Sequence, residues 1–240
     1  MNRGLRSMFN LDPVRIAETS PRLTVKLKRL RTAMTGRNYF FNGQRNRARV
    51  FETIDAHVAF SNYVETGTFL GMTTDFLARR ARARGARVHS CEIDDRHHAI
   101  ATRTVGHLPN VDLQRANSID FLAALAPRIS RSQNFVYLDA HWNDYLPLRD
   151  ELSIIRSWDN TVVLIDDFKV PFDPHFGWDR YDEDREICLE HIAGTFGENP
   201  VYFPNYPAHE EGVPPRGYCV IAFSRPLQDL LDAVPLLKRH

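Results

Sequence analysis

The sequence predicts an α/β fold: a doubly wound, mostly parallel seven-stranded sheet that ends in an antiparallel hairpin. Three observations predict it. Apolar strand-like runs alternate with helical patterns between Phe60 and Ile165, and each run closes on polar residues. The run Phe60 to Val64 leads straight into Glu65-Thr66-Gly67-Thr68-Phe69-Leu70-Gly71-Met72-Thr73-Thr74, a glycine-bearing turn followed by a helix start. Near the end of the chain, Val201-Tyr202-Phe203 and Gly217 to Phe223 are apolar runs joined by a Pro- and Gly-containing loop, the pattern of an antiparallel pair.

The first 45 residues form a basic helical extension, broken at Pro13 and Pro21 and ending in an Asn42-Gly43 turn, ahead of one domain over residues 46–240. The net charge of +1 hides an asymmetry. Residues 1–50 hold twelve Lys or Arg against Asp12 and Glu18, and the remaining 190 residues hold 19 basic against 28 acidic groups. The favoured reading is a solvated arm lying on its own acidic domain. No nucleic-acid partner is expected, because the basic stretch is not interleaved with aromatic platforms, with none between Phe9 and Tyr39-Phe40-Phe41. A length of 240 residues with 43% hydrophobic content suits a single buried domain. Three cysteines without a CxxC pair suggest neither a disulfide framework nor a zinc site, and no apolar run spans a bilayer. A cytoplasmic protein is the plain expectation, with a homo-oligomer left open.

Val50, Phe51, Ile54 and Val58 recur at helical spacing ahead of the first strand. After it, Thr73 or Thr74 is placed to cap a helix reaching about Arg84, with Phe76 and Leu77 inward and Arg79, Arg80, Arg82 and Arg84 outward. Arg87 to Cys91 is the second strand, and a helix follows over Asp95 to Val105. Val111 to Gln114 is the third strand, with another helix from Phe121. Phe135 to Leu138 reads as a strand buried on both faces, ending at Asp139-Ala140-His141-Trp142-Asn143-Asp144. A helix carrying Leu148, Leu152, Ile154 and Ile155 leads to the fifth strand, Thr161 to Ile165, which ends at Asp166-Asp167.

Gly67 and Gly71 allow a tight turn and close approach of a ligand, and Glu92 ends the second strand where an acid accepts hydrogen bonds from ribose hydroxyls. A dinucleotide and S-adenosyl-L-methionine both fit these two features. Glu65 favours the second, since a carboxylate in the loop repels a pyrophosphate and suits an ammonium and a sulfonium. Asp139, Asp166 and Asp167 gather three carboxylates at the ends of two strands, a donor set for a hard cation such as Mg²⁺ rather than for zinc, the alternative being that Asp166 and Asp167 cap the turn after the fifth strand.

These motifs, in this order over residues 50–225, resemble the class I S-adenosylmethionine-dependent methyltransferases, with their Rossmann-like sheet, and most of all their metal-dependent catechol O-methyltransferase-like group. Glu65, Gly67, Thr68, Gly71 and Thr73 match that group's E-x-G-x-x-x-G-x-S/T loop for the methionine end of the cofactor. The resemblance implies that Glu92 grips the ribose and that Asn117, Ser118 and Ile119 contact the adenine. It implies a metal on Asp139, Asp166 and Asp167, and a cofactor wall at Asp139 and Trp142. One departure concerns the base. The group carries His-Trp-Lys directly after its metal aspartate, whereas here Ala140 is inserted and Asn143, which cannot take a proton, stands at the lysine position.

The chemistry expected is transfer of a methyl group to a hydroxyl of a small molecule, sugar or natural product, with Asp139 and His141 as the catalytic residues and His141 as base. Equally, His141 fits a ring stacked on cofactor or satisfied by Asp144. Val170 to Asp184, rich in aromatic residues, is expected to cover the substrate. The rival reading is a non-catalytic cofactor-binding or interaction module whose basic arm binds an anionic partner.

Overall fold

The computed structural model describes residues 19–35, 38–140, 144–182, 185–212 and 214–240. Helix α1 (Pro21–Thr35) begins on Pro21, whose missing N–H costs nothing at a first helical position, and the helical pattern is interrupted at Ser20 just before it, where a break was expected. A 3-10 turn at Phe41–Gly43 leads to α2 (Arg45–His57) and then to β1 (Asn62–Thr66). The alternating units follow: α3 (Met72–Ala83), β2 (Arg87–Glu92), α4 (Asp95–Val105), β3 (Val111–Arg115), α5 (Ser118–Ile129), β4 (Asn134–Leu138), α6 (Leu148–Ile155) and β5 (Thr161–Asp166). A short helix α7 (Leu189–Ile192) precedes β6 (Val201–Pro204), β7 (Tyr218–Ala222), α8 (Arg225–Asp232) and β8 (Leu237–Arg239).

The strands lie in the order β3-β2-β1-β4-β5-β7-β6-β8. β1 to β5 are parallel, and β7 joins β5 antiparallel with β6 beside it. The expected class holds, with eight strands in place of seven. Leu237–Arg239 adds to the outer edge of β6, where Phe203 pairs with Lys238, a contact only three residues long. The strand order reverses between β1 and β4, which makes the carboxyl ends of β1, β2, β4 and β5 the place where a crevice opens.

Burial on both faces follows the two-residue period of a strand. Tyr63, Phe135, Tyr137, Leu164 and Val220 feed one core beneath α2, α3 and α8, while Val64, Val136, Leu138, Ile165 and Ile221 feed the other beneath α5 and α6. Residues ahead of the expected boundary at 46 contribute directly. Phe41 is fully buried against Phe51, Phe76 and Tyr137, and Phe40 stacks on Phe76 at 3.5 Å between ring centroids. Gln44 accepts from the Gly212 and Arg216 amides and donates to the Pro214 carbonyl, so the chain before α2 clasps the loop before β7. Arg29 of α1 pairs with Asp75 in the first turn of α3, and three of the four outward arginines are also engaged. Arg80 and Arg84 reach the buried Asp55, and Arg79 reaches Asp75.

Glu65 lies on the Tyr63 side of β1 and is almost fully buried. Its Oε2 accepts from Thr74 Oγ1 at 2.5 Å and Ser90 Oγ at 2.7 Å, so one carboxylate ties β1, β2 and α3 together under the glycine loop. Neither threonine caps α3. Thr74 is spent on Glu65, Thr73 Oγ1 accepts from the Phe41 amide, and the residue before the helix is Gly71 in a left-handed conformation. No helix among the described residues is long and apolar enough to cross a membrane.

Two expectations follow. Phe41→Ala removes a ring from a packed core and should lower the unfolding free energy by about 3–5 kcal/mol, read as a shifted urea midpoint; an unchanged midpoint would show that the segment is a mere appendage. Burial raises the Glu65 carboxyl from 4.5 to about 7, against the pull of the Thr74 and Ser90 hydroxyls. The folded state therefore binds a proton more tightly than the unfolded chain, and stability falls as pH rises from 4.5 to about 7 before levelling. Glu65→Gln should flatten that slope, worth on the order of 3 kcal/mol, in denaturation followed across this pH range.

Candidate active site

The glycine loop is held from behind by main-chain bonds. The Gly67 and Thr68 amides both donate to the Cys91 carbonyl at 3.0 Å, and the Asp139 amide donates to the Thr66 carbonyl at 3.0 Å. Gly67 has φ +85, and a Cβ there would lie 2.2 Å from the Asp139 carbonyl oxygen, so only glycine lets β1 leave the sheet this close to β4. A cavity of about 260 Å³ opens over these strand ends. Cys91, Ile93, Ala116 and Phe69 give it an apolar end, and Asp139, Asp167 and Asp179 give it an acidic one.

Glu92 lines the cavity where an acid was expected. One oxygen accepts from the Phe69 amide at 2.7 Å and the other from the Asp94 amide at 2.9 Å. A carboxylate offers about four acceptor sites, which leaves two for a ligand. Phe69 itself is held at φ +50, with its ring edge-on to His97 at 4.7 Å. Ser118 lines the wall beside Tyr145, its hydroxyl 3.3 Å from the tyrosine oxygen. Its neighbour Asn117 is turned aside to cap α5, accepting from the Asp120 amide at 2.9 Å, and Ile119 is not part of the lining.

Of the expected loop residues, Gly67 reaches the cavity while Glu65, Thr68, Gly71 and Thr73 face the interior. Thr68 shares a hydrogen bond with Ser90 at 2.6 Å, and a Cβ on Gly71 would press on Val105 at 3.3 Å. These residues build the loop and present its backbone. The negative charge that Glu65 was expected to show a ligand comes instead from Glu92, Asp94, Asp139, Asp167 and Asp179. His141, Trp142 and Asn143 lie outside the described residues.

At the acidic end, Asp139 faces the cavity and Asp166 lies beneath it, fully buried. Tyr137 donates its hydroxyl to both carboxylates, at 3.1 Å to Asp139, and Asn42 Nδ2 donates to both, at 3.2 Å to Asp139 and 3.0 Å to Asp166. Asp166 Oδ1 also receives the Asp167 amide at 2.6 Å and Nη1 of Arg47, whose side chain is completely buried. Burial pushes the Asp166 carboxyl up while Arg47 pulls it back. The ion pair stands, because a guanidinium does not give up its proton and here needs the anion. Burial, then Asp139 and Asp166, raise the Tyr137 phenol well above its ordinary value, which keeps it a donor. Asp167 and Asp179, both in the lining, are bridged by Arg216.

From the sequence, Asn42 reads only as a turn and Asp179 as part of the expected substrate-covering loop, while Arg47, Phe69, Tyr137, Tyr145 and Arg216 carry no signal of their own. One signal was within reach, since Asn42-Gly43 is a pair suited to positive φ. Asn42, Phe69 and Asp167 hold positive φ of 52, 50 and 50, and all three line the cavity, a concentration of backbone strain usual at ligand sites.

The family description "Methyltransferase domain" matches residues 64–168, from β1 through the end of β5. Among solved structures, an O-methyltransferase from Bacillus cereus in complex with SAH aligns with TM-score 0.54 at 14% identity, covering 91% of this chain and 94% of that one. Cofactor-bound Rv0187 from MTB aligns with TM-score 0.54 at 17% identity, covering 89% and 98%. At these identities the likeness is one of fold. No match is found among curated protein sequences. The chain thus carries a methyltransferase-domain match over residues 64–168, inside a sheet that has the fold of these solved structures and opens a crevice where the strand order reverses.

Proposed function

We propose that the protein methylates a hydroxyl of a small molecule, a sugar or natural product presenting adjacent hydroxyls, within residues 46–240, and that the segment before residue 46 serves that domain instead of acting as a separate module. The observation that carries this reading is one cavity with an apolar end flanked by Glu92 and an acidic end holding Asp139. That division suits an adenine and ribose at one end and an ammonium and sulfonium at the other, and it opposes a pyrophosphate.

S-adenosylmethionine supplies, when bound, an electrophilic methyl group on a sulfonium. Glu92 has acceptor sites left for ribose hydroxyls, and Ile93, Ala116 and Ser118 form a slot for the base. Asp139, oriented by Tyr137 and Asn42, is placed to take the acceptor's hydroxyl proton. Orientation contributes much of the rate when nucleophile and methyl are held in line. The 170–187 region supports the idea of a substrate-covering loop. It brings Asp179 to the lining and holds Trp178 through Glu186 at 2.8 Å, with Lys169 and Arg180 over the indole ring. A cytoplasmic setting is supported by Cys91, Cys188 and Cys219, all free and buried. The expected divalent cation meets an objection in the pairing of its proposed ligands. Asp166 is neutralised by Arg47 and Asp167 is bound by Arg216, so this donor set does not fit a resident Mg²⁺.

Glu92→Ala should weaken S-adenosylhomocysteine binding by about tenfold or more in calorimetry; an unchanged affinity would remove Glu92 from the ribose. Asp139→Asn should lower labelled-methyl transfer into a small-molecule extract by about 10²–10⁴-fold while S-adenosylhomocysteine affinity stays near that of the wild type. A wild-type chain that binds no S-adenosylhomocysteine would overturn the reading as a whole.

A further inference from the structure

We propose that Arg47 holds the position in which a divalent cation would balance this carboxylate cluster, and that the methyl transfer proceeds with no bound metal. The proposal rests on the methyltransferase reading for its chemistry and on side-chain geometry for its electrostatics. Asp166 is the pivot. Its Oδ1 takes Arg47 Nη1 and the Asp167 amide, and its Oδ2 takes Asn42 Nδ2 and the Tyr137 hydroxyl. These four donors fill the roughly four acceptor sites that a carboxylate has. A hard cation wants such oxygens free.

Arg47 is fixed on its other side as well. Nη2 donates to the Arg216 carbonyl at 2.9 Å and the Gly217 carbonyl at 3.3 Å, and the guanidinium carbon lies 5.2 Å from the centre of the Tyr218 ring. Buried carbonyls, an aromatic face and a carboxylate leave it no route to water. A dication entering beside Asp166 would meet this fixed positive charge across a few ångströms of low-dielectric interior, a strongly repulsive arrangement. Arg216 places a second guanidinium between Asp167 and Asp179. Among the described residues, no group of three His, Cys, Asp or Glu side chains is arranged to hold a metal ion.

The chemistry balances without one. The acceptor oxygen forms a bond to the methyl carbon as the carbon–sulfonium bond breaks, the sulfur leaves as a neutral thioether, and the hydroxyl proton passes to Asp139. Asn42 and Tyr137 are positioning residues in this scheme, since each holds Asp139 and Asp166 at once.

The test uses the purified full chain and reads metal binding directly. Mn²⁺ is titrated to about 1 mM and followed by the electron paramagnetic resonance signal of the free ion, and S-adenosylhomocysteine affinity is measured by calorimetry with and without EDTA. The expected result is no stoichiometric Mn²⁺ site and the same S-adenosylhomocysteine affinity in both buffers. Methyl incorporation should likewise be unchanged by EDTA. One Mn²⁺ per chain, released by Asp166→Asn, would overturn the proposal, as would methyl transfer that EDTA abolishes and Mn²⁺ restores. Because the resonance measurement needs no turnover, it decides the metal question even if the chain proves not to bind S-adenosylhomocysteine, an outcome that counts against the methyltransferase reading alone.

Discussion

A buried guanidinium meets a buried carboxylate at the end of β5, and the carboxyl edge of the sheet is arranged around that contact. Neither Arg47 nor Asp166 exposes any of its side chain. Either alone would be an uncompensated charge in a low-dielectric interior, a loss of about 3–5 kcal/mol when one partner is removed. The pair therefore fixes α2 against β5. Tyr137 and Asn42, which reach the same carboxylate, inherit their positions from it. Asp139 is then set by those two, so the orientation of the proposed base traces back to a charge that never touches the ligand.

The glycine loop obeys the same logic on the other side of the cavity. Its side chains are spent on the interior, with Glu65 on Thr74 and Ser90, Thr68 on Ser90, and Thr73 on the Phe41 amide. Backbone, one phenylalanine ring and the neighbouring acid are what remain to face a ligand. A turn held in shape by its own side chains is pre-organised, which lowers the ordering cost of binding.

Much of this was legible because it is local. Strand-to-turn-to-helix order, the acid closing β2 and the two-residue alternation of β4 and β5 are all contained within a few residues of sequence. The side that Glu65 faces was legible too, through its parity with Tyr63 on the same strand, but its position in the loop motif drew attention away from that parity. What stayed hidden was long-range. Asn42 meets Asp166 across 124 positions and Arg47 meets it across 119, and both come from a stretch whose basic composition suggested a solvated arm. Net charge reports on partners and solubility and says little about which arginine is interior. The eighth strand escaped notice because Leu237–Arg239 is too short for any period to show.

The close approach of Gly67 to Asp139 sets a fixed ruler inside the site. With 2.2 Å between a hypothetical Cβ and the Asp139 carbonyl oxygen, no side chain lies between the turn and the end of β4. The spacing between the glycine turn and Asp139 is thus set by two strands in register and not by any replaceable side chain. The opposite wall is built differently, with Trp178 paired to Glu186 and Arg216 bridging Asp179 to Asp167 just past the end of β5. A change of residue in those segments therefore alters the cavity wall without altering the spacing between the turn and the end of β4.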